Sequence, residues 1–148
     1  MSGRGRGIRN EEGSAVVEFV FLGVILLVPL IYLTMMIARV QAGSYAATQA
    51  AREAGRAFVT AESEDSASGR ARAAAEIAFA DQGFGGGEGT LGISCSASPC
   101  LTPQERIDIS TQVTVPLPFI PSFARDVVPL EVPVSATHVV IVDRFRGE

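Results

Sequence analysis

The chain has 148 residues, 47% of them hydrophobic and 19% charged, with a formal net charge of −4. This length allows one small domain with a modest core. All 12 basic residues are arginine. The absence of lysine excludes Schiff-base and P-loop lysine mechanisms. The arginines are scattered singly, which argues against a nucleic-acid partner, since nucleic-acid surfaces cluster their basic residues.

An uncharged apolar run extends from residue 19 to residue 38. At the rise of an α-helix it spans about 30 Å, the thickness of a bilayer core. Pro29 lies within the run and is expected to loosen or kink the helix, which membrane helices tolerate. The run therefore predicts a single transmembrane helix in contact with the lipid bilayer.

The arginines that flank the run predict its orientation. Arg4, Arg6 and Arg9 precede it, whereas Arg39 alone follows it closely. Two further arginines in the next 18 residues partly offset this bias. The balance favours a cytoplasmic N-terminus and an extracytoplasmic C-terminal part.

Glu18 is the only charge between Gly13 and Arg39, and it opens the apolar run. A carboxylate at this position is costly in lipid unless it has a partner or reaches the headgroups. Its context is a glycine, then glutamate five residues later, then the aromatic Phe19. This arrangement favours a processed, membrane-held building block over an enzyme.

Three processing fates are compatible with this N-terminus. The first is an uncleaved signal anchor. The second is a secretory signal peptide cut between Ala42 and Gly43, although the apolar run is longer than an ordinary signal core and contains a proline. The third is cleavage after Gly13 on the cytoplasmic side, which leaves the apolar helix attached to the mature protein.

The segment GSAVVEFVFLGVILLVPL, together with the later QAAREAGRAF, resembles the TadE-like minor pseudopilins of the tight-adherence (Tad/Flp) pilus system. The resemblance covers roughly residues 11 to 58 and includes the class III signal of type IV pilins. It implies that a prepilin peptidase cuts after Gly13, so that Ser14 becomes the new N-terminus. It further implies that Glu18, with Phe19 beside it, sets the register between subunits by pairing with a neighbour's terminal amine. Pro29 does not sit where the commoner pilins carry theirs.

Several expectations follow from the resemblance. The chain is divided into a cytoplasmic leader (1–13), a transmembrane helix (14–39) and an extracytoplasmic α+β domain (40–148). The fold is expected to be type IV pilin-like. The expected function is a membrane-inserted structural subunit of a type IVc pilus assembly system, without enzymatic activity. Its partners would be prepilin peptidase, other pilins or pseudopilins, and Tad membrane platform proteins.

Cys95 and Cys100 are separated by four residues that include a proline. Such a turn can bring the two Cβ atoms into bonding range, and an extracytoplasmic location would favour a disulfide. The alternative is two unpaired thiols in a loop. Zinc is not expected, because the only other candidate ligand of this kind is the distant His138.

Helical periodicity continues beyond the apolar run. Small and aromatic residues recur at helical spacing at Ala47, Ala51, Ala54 and Phe58. This face could pack against helices of sister subunits, since alanine allows close approach. It could equally pack against the chain's own sheet, and both arrangements could hold over different lengths of one helix.

The remaining segments predict a second helix and a small antiparallel sheet. The helix is expected at about residues 67 to 82 with Ser66 as its N-cap, followed by a glycine-rich loop without the ending of a phosphate loop. Strands are expected at residues 91–96, 106–116 and 131–145. Four prolines, Pro116, Pro118, Pro121 and Pro129, restrict pairing in the last connection to edges or ends.

No constellation of catalytic or cofactor-binding residues is evident. His138 is the only histidine and lies in the last predicted strand, where a sheet-face role is expected. Serines lack an evident base partner and the acids are dispersed. No cofactor or metal is therefore expected. The competing interpretation of the whole chain is a signal-anchored or secreted small binding domain on the cell surface.

Overall fold

The computed structural model describes residues 12–85, 87–117 and 130–145. The chain divides into two units between Met35 and Met36. Its elements in order are α1 (Glu12–Val59), α2 (Glu64–Asp81), β1 (Gly89–Cys95), β2 (Arg106–Pro116) and β3 (Glu131–Ile141). The expected α+β class is confirmed at this level: a long apolar N-terminal helix, a second helix and a small open sheet of three antiparallel strands.

Helix α1 contains 48 residues and contributes to both units. It continues well past Arg39, as the periodicity predicted, and it is assigned as helix through Pro29 without a break. Proline lacks the N–H that would bond to the carbonyl one turn earlier. Five residues later, the Thr34 hydroxyl donates to the carbonyl oxygen of Leu30 at 2.9 Å, so this polar side chain is satisfied within the helix.

Helix α2 begins three residues earlier than the sequence suggested. Ser63 is the N-cap, and its hydroxyl accepts a hydrogen bond from the N–H of Ser66 at 3.4 Å. The hydroxyl of Ser66 in turn accepts a hydrogen bond from the N–H of Ser63, which completes a capping box. The prediction of Ser66 as the N-cap was therefore wrong. Glu64 and Asp65 occupy the first turn, where the helix dipole favours carboxylates.

The three strands form an antiparallel sheet in the order β1-β2-β3. In the central register, Ile109 of β2 lies opposite Ile93 of β1 and His138 of β3. Side chains alternate along β2, and a buried set faces the helices: Ile107, Ile109, Thr111, Val113 and Val115. This alternation is what an antiparallel sheet with one covered face requires.

The core of the 36–148 unit lies between the helices and the sheet. Alanines dominate on the helical side, whereas the sheet supplies branched aliphatic side chains. Three phenylalanines, Phe58, Phe79 and Phe84, also belong to this core. The helix approaches the sheet closely. The Thr111 hydroxyl donates to the carbonyl oxygen of Ala47 in α1 at 2.7 Å. A side chain at Gly43 would collide with Cγ2 of Val115.

Two of the three strands have bounds that differ from the expected ones. β1 occupies Gly89–Cys95, and β3 ends at Ile141 instead of residue 145. One further hydrogen bond follows the last ladder pair, because the N–H of Val142 donates to the carbonyl oxygen of Glu105, the residue before β2, at 3.0 Å. Of the prolines expected to limit pairing, Pro116 ends β2, while the other three lie outside the described residues.

Candidate functional site

The predicted processing site lies at the start of α1. The helix begins at Glu12, so the peptide bond between Gly13 and Ser14 belongs to its first turn. The first N–H groups of a helix have no intrahelical acceptor. Ser14 and Glu18 are four residues apart in the same helix, so both belong to one face.

Glu18 and Phe19 are exposed on the surface of α1, and Phe19 is 76% exposed. Among the described residues, Glu18 makes no ion pair, since the one ion pair found there joins Arg106 and Asp108. A carboxylate and, at the next position, an aromatic ring are thus both exposed within the described part of the chain. The role of Glu18 and Phe19 in subunit assembly stays a prediction.

The apolar part of α1 is exposed along its length. An 18-residue window has a mean hydropathy of 2.7 and none of it is buried within the chain. Within the described residues this is the one helix long and apolar enough to cross a membrane, and a membrane anchor or a signal sequence would satisfy this criterion. Val16, Val17, Val20, Phe21 and Val24 form an exposed apolar patch on this surface.

The second part of α1 has the opposite environment. The four residues singled out for helix packing, Ala47, Ala51, Ala54 and Phe58, are at most 2% exposed. They belong to the chain's own core. Of the two alternatives for this face, packing on the chain's own sheet is what the structure contains. The polar residues on the other side, including Gln49, Arg52 and Glu53, are exposed.

Cys95 and Cys100 form a disulfide, with their Cα atoms 5.3 Å apart. The bridge closes a short loop at the end of β1, and both cysteines pack against the core. The N–H of Cys100 donates to a carboxylate oxygen of Glu64 at 3.0 Å. The disulfide loop is thereby attached to the first turn of α2, a contact that the sequence did not predict.

The described residues contain no group of three or more acidic, histidine or cysteine side chains placed to hold a metal ion. His138 is half-buried on the face of β3 that meets α1, and a side chain at Gly55 would lie 3.4 Å from its Cδ2 atom. Asp108 and Asp143 lie apart on β2 and after β3.

Sequence reasoning missed three residues that determine how α1 meets the rest of the chain. Gly43 allows the close approach between helix and sheet, Gly55 faces the sheet at a distance where a methyl group would make ordinary contacts, and Arg39 contacts the turn after α2. The spacing of the two glycines offered a signal. They are 12 residues apart in a helical segment and fall near the alanine face, where a glycine costs helix stability unless packing requires it.

The comparisons with known proteins give no family or relative. No protein-family model, curated protein or solved structure significantly matches the chain.

Proposed function

We propose that this chain is a minor pseudopilin: a membrane-inserted structural subunit of a Tad/Flp (type IVc) pilus assembly system, processed by a prepilin peptidase after Gly13. The observation that carries the proposal is the continuity of α1 from Glu12 to Val59. One helix contains both an exposed apolar stretch and the alanine face of the core. A subunit that is held in the membrane, and then packed into a fibre by one helix, needs both parts.

The contacts near Ala42 support a retained helix over a cleaved signal peptide. Val40 and Ala42 pack against the core, and Gly43 is buried. The side chain of Arg39 contacts Gly83, in the turn after α2. A cut between Ala42 and Gly43 would divide a helix between residues that pack on the same domain and would remove contacts that the domain uses.

Cleavage after Gly13 would create a positive amine on Ser14. Because residues 14 and 18 share a helical face, this amine would lie about one turn, roughly 6 Å, from the carboxylate of its own Glu18. A neighbour's Glu18 must compete with that internal pair. Contact between the apolar surfaces of adjacent helices would favour the intermolecular pair, since it removes both charges from lipid together.

The proposal also specifies location and partners. The chain would reside in the cytoplasmic membrane with its N-terminus in the cytoplasm and residues 40–148 outside. The disulfide between Cys95 and Cys100 fits an oxidising extracytoplasmic compartment. Prepilin peptidase would act on the leader, and other pilins, pseudopilins and Tad platform proteins would contact the mature helix.

N-terminal sequencing of the membrane-extracted protein tests the proposal. We expect a start at Ser14 in cells with an active prepilin peptidase, and a start at Met1 in matched cells whose peptidase is inactivated. A start at Gly43 in both strains would identify a signal peptide instead. An uncut Met1 in both strains would identify a plain anchor.

Glu18→Gln provides the matched variant for the assembly step, with Glu53→Gln as its control. Both remove one exposed carboxylate from α1. Glu18→Gln should insert and be cleaved normally but lose most co-purification with neighbouring pilin subunits, whereas Glu53→Gln should retain it. Normal assembly of Glu18→Gln would contradict the proposed role of the carboxylate.

The open outer face of the sheet favours a second candidate, a signal-anchored or secreted small binding domain. Its side chains in the described strands include Ser94, Ser110, Gln112 and Thr137, all exposed. This candidate requires residues 43–148 to form a stable soluble domain that binds a surface ligand by itself. Expression of that fragment as an aggregate would weigh against it.

A further inference from the structure

Arg39 immediately follows the apolar run, yet its side chain is engaged by the fold. Its Nη2 atom donates to the carbonyl oxygen of Gly83 at 3.2 Å. The guanidinium carbon also lies 4.5 Å from the ring centroid of Phe84, within the range of a cation–π contact. A planar guanidinium can lie over the ring with its face and donate to the carbonyl with its edge, a geometry that a compact ammonium lacks.

The C-terminal end of α2 lacks a positively charged side chain of its own. The helix ends at Asp81 and has no basic residue in its last turn. The carbonyl groups at a helix C-terminus carry partial negative charge, so a carboxylate there is unfavourable and a cation is favourable. Arg39 supplies the cation from α1.

The turn after α2 is shaped to receive the arginine. Gly83 adopts a φ of +75°, a conformation that favours glycine, and a side chain there would approach Nη1 of Arg39 at 3.4 Å. The N–H of Phe84 donates back to the carbonyl of Phe79 at 2.9 Å. The Phe84 ring is fully buried, and it also lies near the position that a side chain at Gly43 would take.

We propose that Arg39 is a positioning residue that latches the turn of residues 82–84 onto α1, directly after the apolar run. The latch consists of Arg39, the Gly83 carbonyl and the Phe84 ring. It gives the arginine a role separate from its positive charge as a membrane flank. The inference does not depend on how the N-terminus is processed, so it can fail or hold independently of the proposed function.

A double-substitution cycle on the full-length protein in detergent micelles tests the latch. Hydrogen exchange of the Gly83 and Phe84 amides reports opening of the turn. Arg39→Gln should accelerate this exchange about tenfold, because a cation–π contact and a hydrogen bond are both lost. In a Phe84→Leu background, the same substitution should have a clearly smaller effect, since the ring is already absent.

Arg52→Gln is the matched control, because Arg52 is an exposed arginine of α1 whose side chain makes no hydrogen bond or ion pair with another described residue. It should leave exchange at Gly83 and Phe84 unchanged. Equal effects of Arg39→Gln in the two backgrounds, or equal effects of Arg39→Gln and Arg52→Gln, would overturn the latch.

Arg39→Lys keeps the inference testable if Phe84→Leu does not fold. Lysine preserves the flanking charge but not the planar guanidinium. We expect faster exchange of the Gly83 and Phe84 amides than in the wild type, with membrane orientation unchanged as judged by labelling of a cysteine introduced at Ser68. Wild-type exchange in Arg39→Lys would mean that charge alone suffices and would overturn the proposal.

Discussion

The two parts of α1 share one secondary structure but have opposite surroundings. Residues 19–35 are mostly large, apolar and exposed, whereas residues 46–58 present a buried face made mainly of alanine. The more hydrophobic part is therefore the one that the chain itself does not cover. High hydropathy marks the part of α1 that needs a partner or a bilayer. Small side chains mark the part of α1 that packs within the fold.

The physical reason for this difference is distance. Alanine and glycine allow the backbone of α1 to approach the sheet until Thr111 reaches the carbonyl of Ala47. A leucine or phenylalanine in place of Ala47 would hold the layers apart at this point. In the apolar part no described layer needs to approach, so large side chains carry no such penalty and would instead supply contact area to lipid or to another helix.

The largest difference in stability between the two units is expected from truncating an isoleucine in each of them. Ile109→Ala, in β2, should lower the free energy of unfolding by about 2–5 kcal/mol, because a fully buried side chain is lost and a cavity remains. Ile31→Ala removes the same atoms from a residue that is 51% exposed in α1. It should leave the denaturant midpoint of the sheet, followed by circular dichroism in detergent, essentially unchanged. Similar losses in the two variants would contradict the assigned burial.

The second test adds a methyl group to each part of α1. Gly43→Ala should destabilise the protein by about 1–3 kcal/mol, because the new methyl collides with the Val115 side chain in a packed core. Gly23→Ala has no atom within 4 Å to meet and should be neutral or stabilising by up to about 1 kcal/mol, the gain in helix propensity. Thermal unfolding of both variants in the same detergent would measure the contrast. A stabilising Gly43→Ala would show that the helix and sheet are less closely packed.

The smallest effect on stability is expected at the N-terminus of α2. Ser63→Ala removes the N-cap and should cost about 1 kcal/mol. Ser68→Ala changes an exposed serine inside the same helix and should be neutral or slightly stabilising. Denaturant midpoints of the two variants would separate a cap from a general serine effect. A loss in Ser68→Ala equal to that in Ser63→Ala would contradict the capping box.

Local sequence patterns predicted most of the secondary structure. The period-two alternation predicted β2 at its observed bounds, and the helical spacing of small residues predicted that α1 continues past Arg39. The start of α2 was misplaced because Ser63 and Ser66 are both acceptable caps in isolation. The reciprocal bonds between them, and the bond from Cys100 to Glu64, decide between the two serines.

The sequence by itself determined that one helix is apolar enough to need a bilayer or a partner, that small residues follow it on one face, and that two cysteines lie within bonding reach. These properties are local, because they depend on composition and on spacing along one segment. Only the tertiary structure decided that the alanine face packs on the chain's own sheet and that Arg39 holds the turn after α2. Both depend on residues more than 40 positions apart, whose meeting depends on how the layers pack and not on the pattern of either segment.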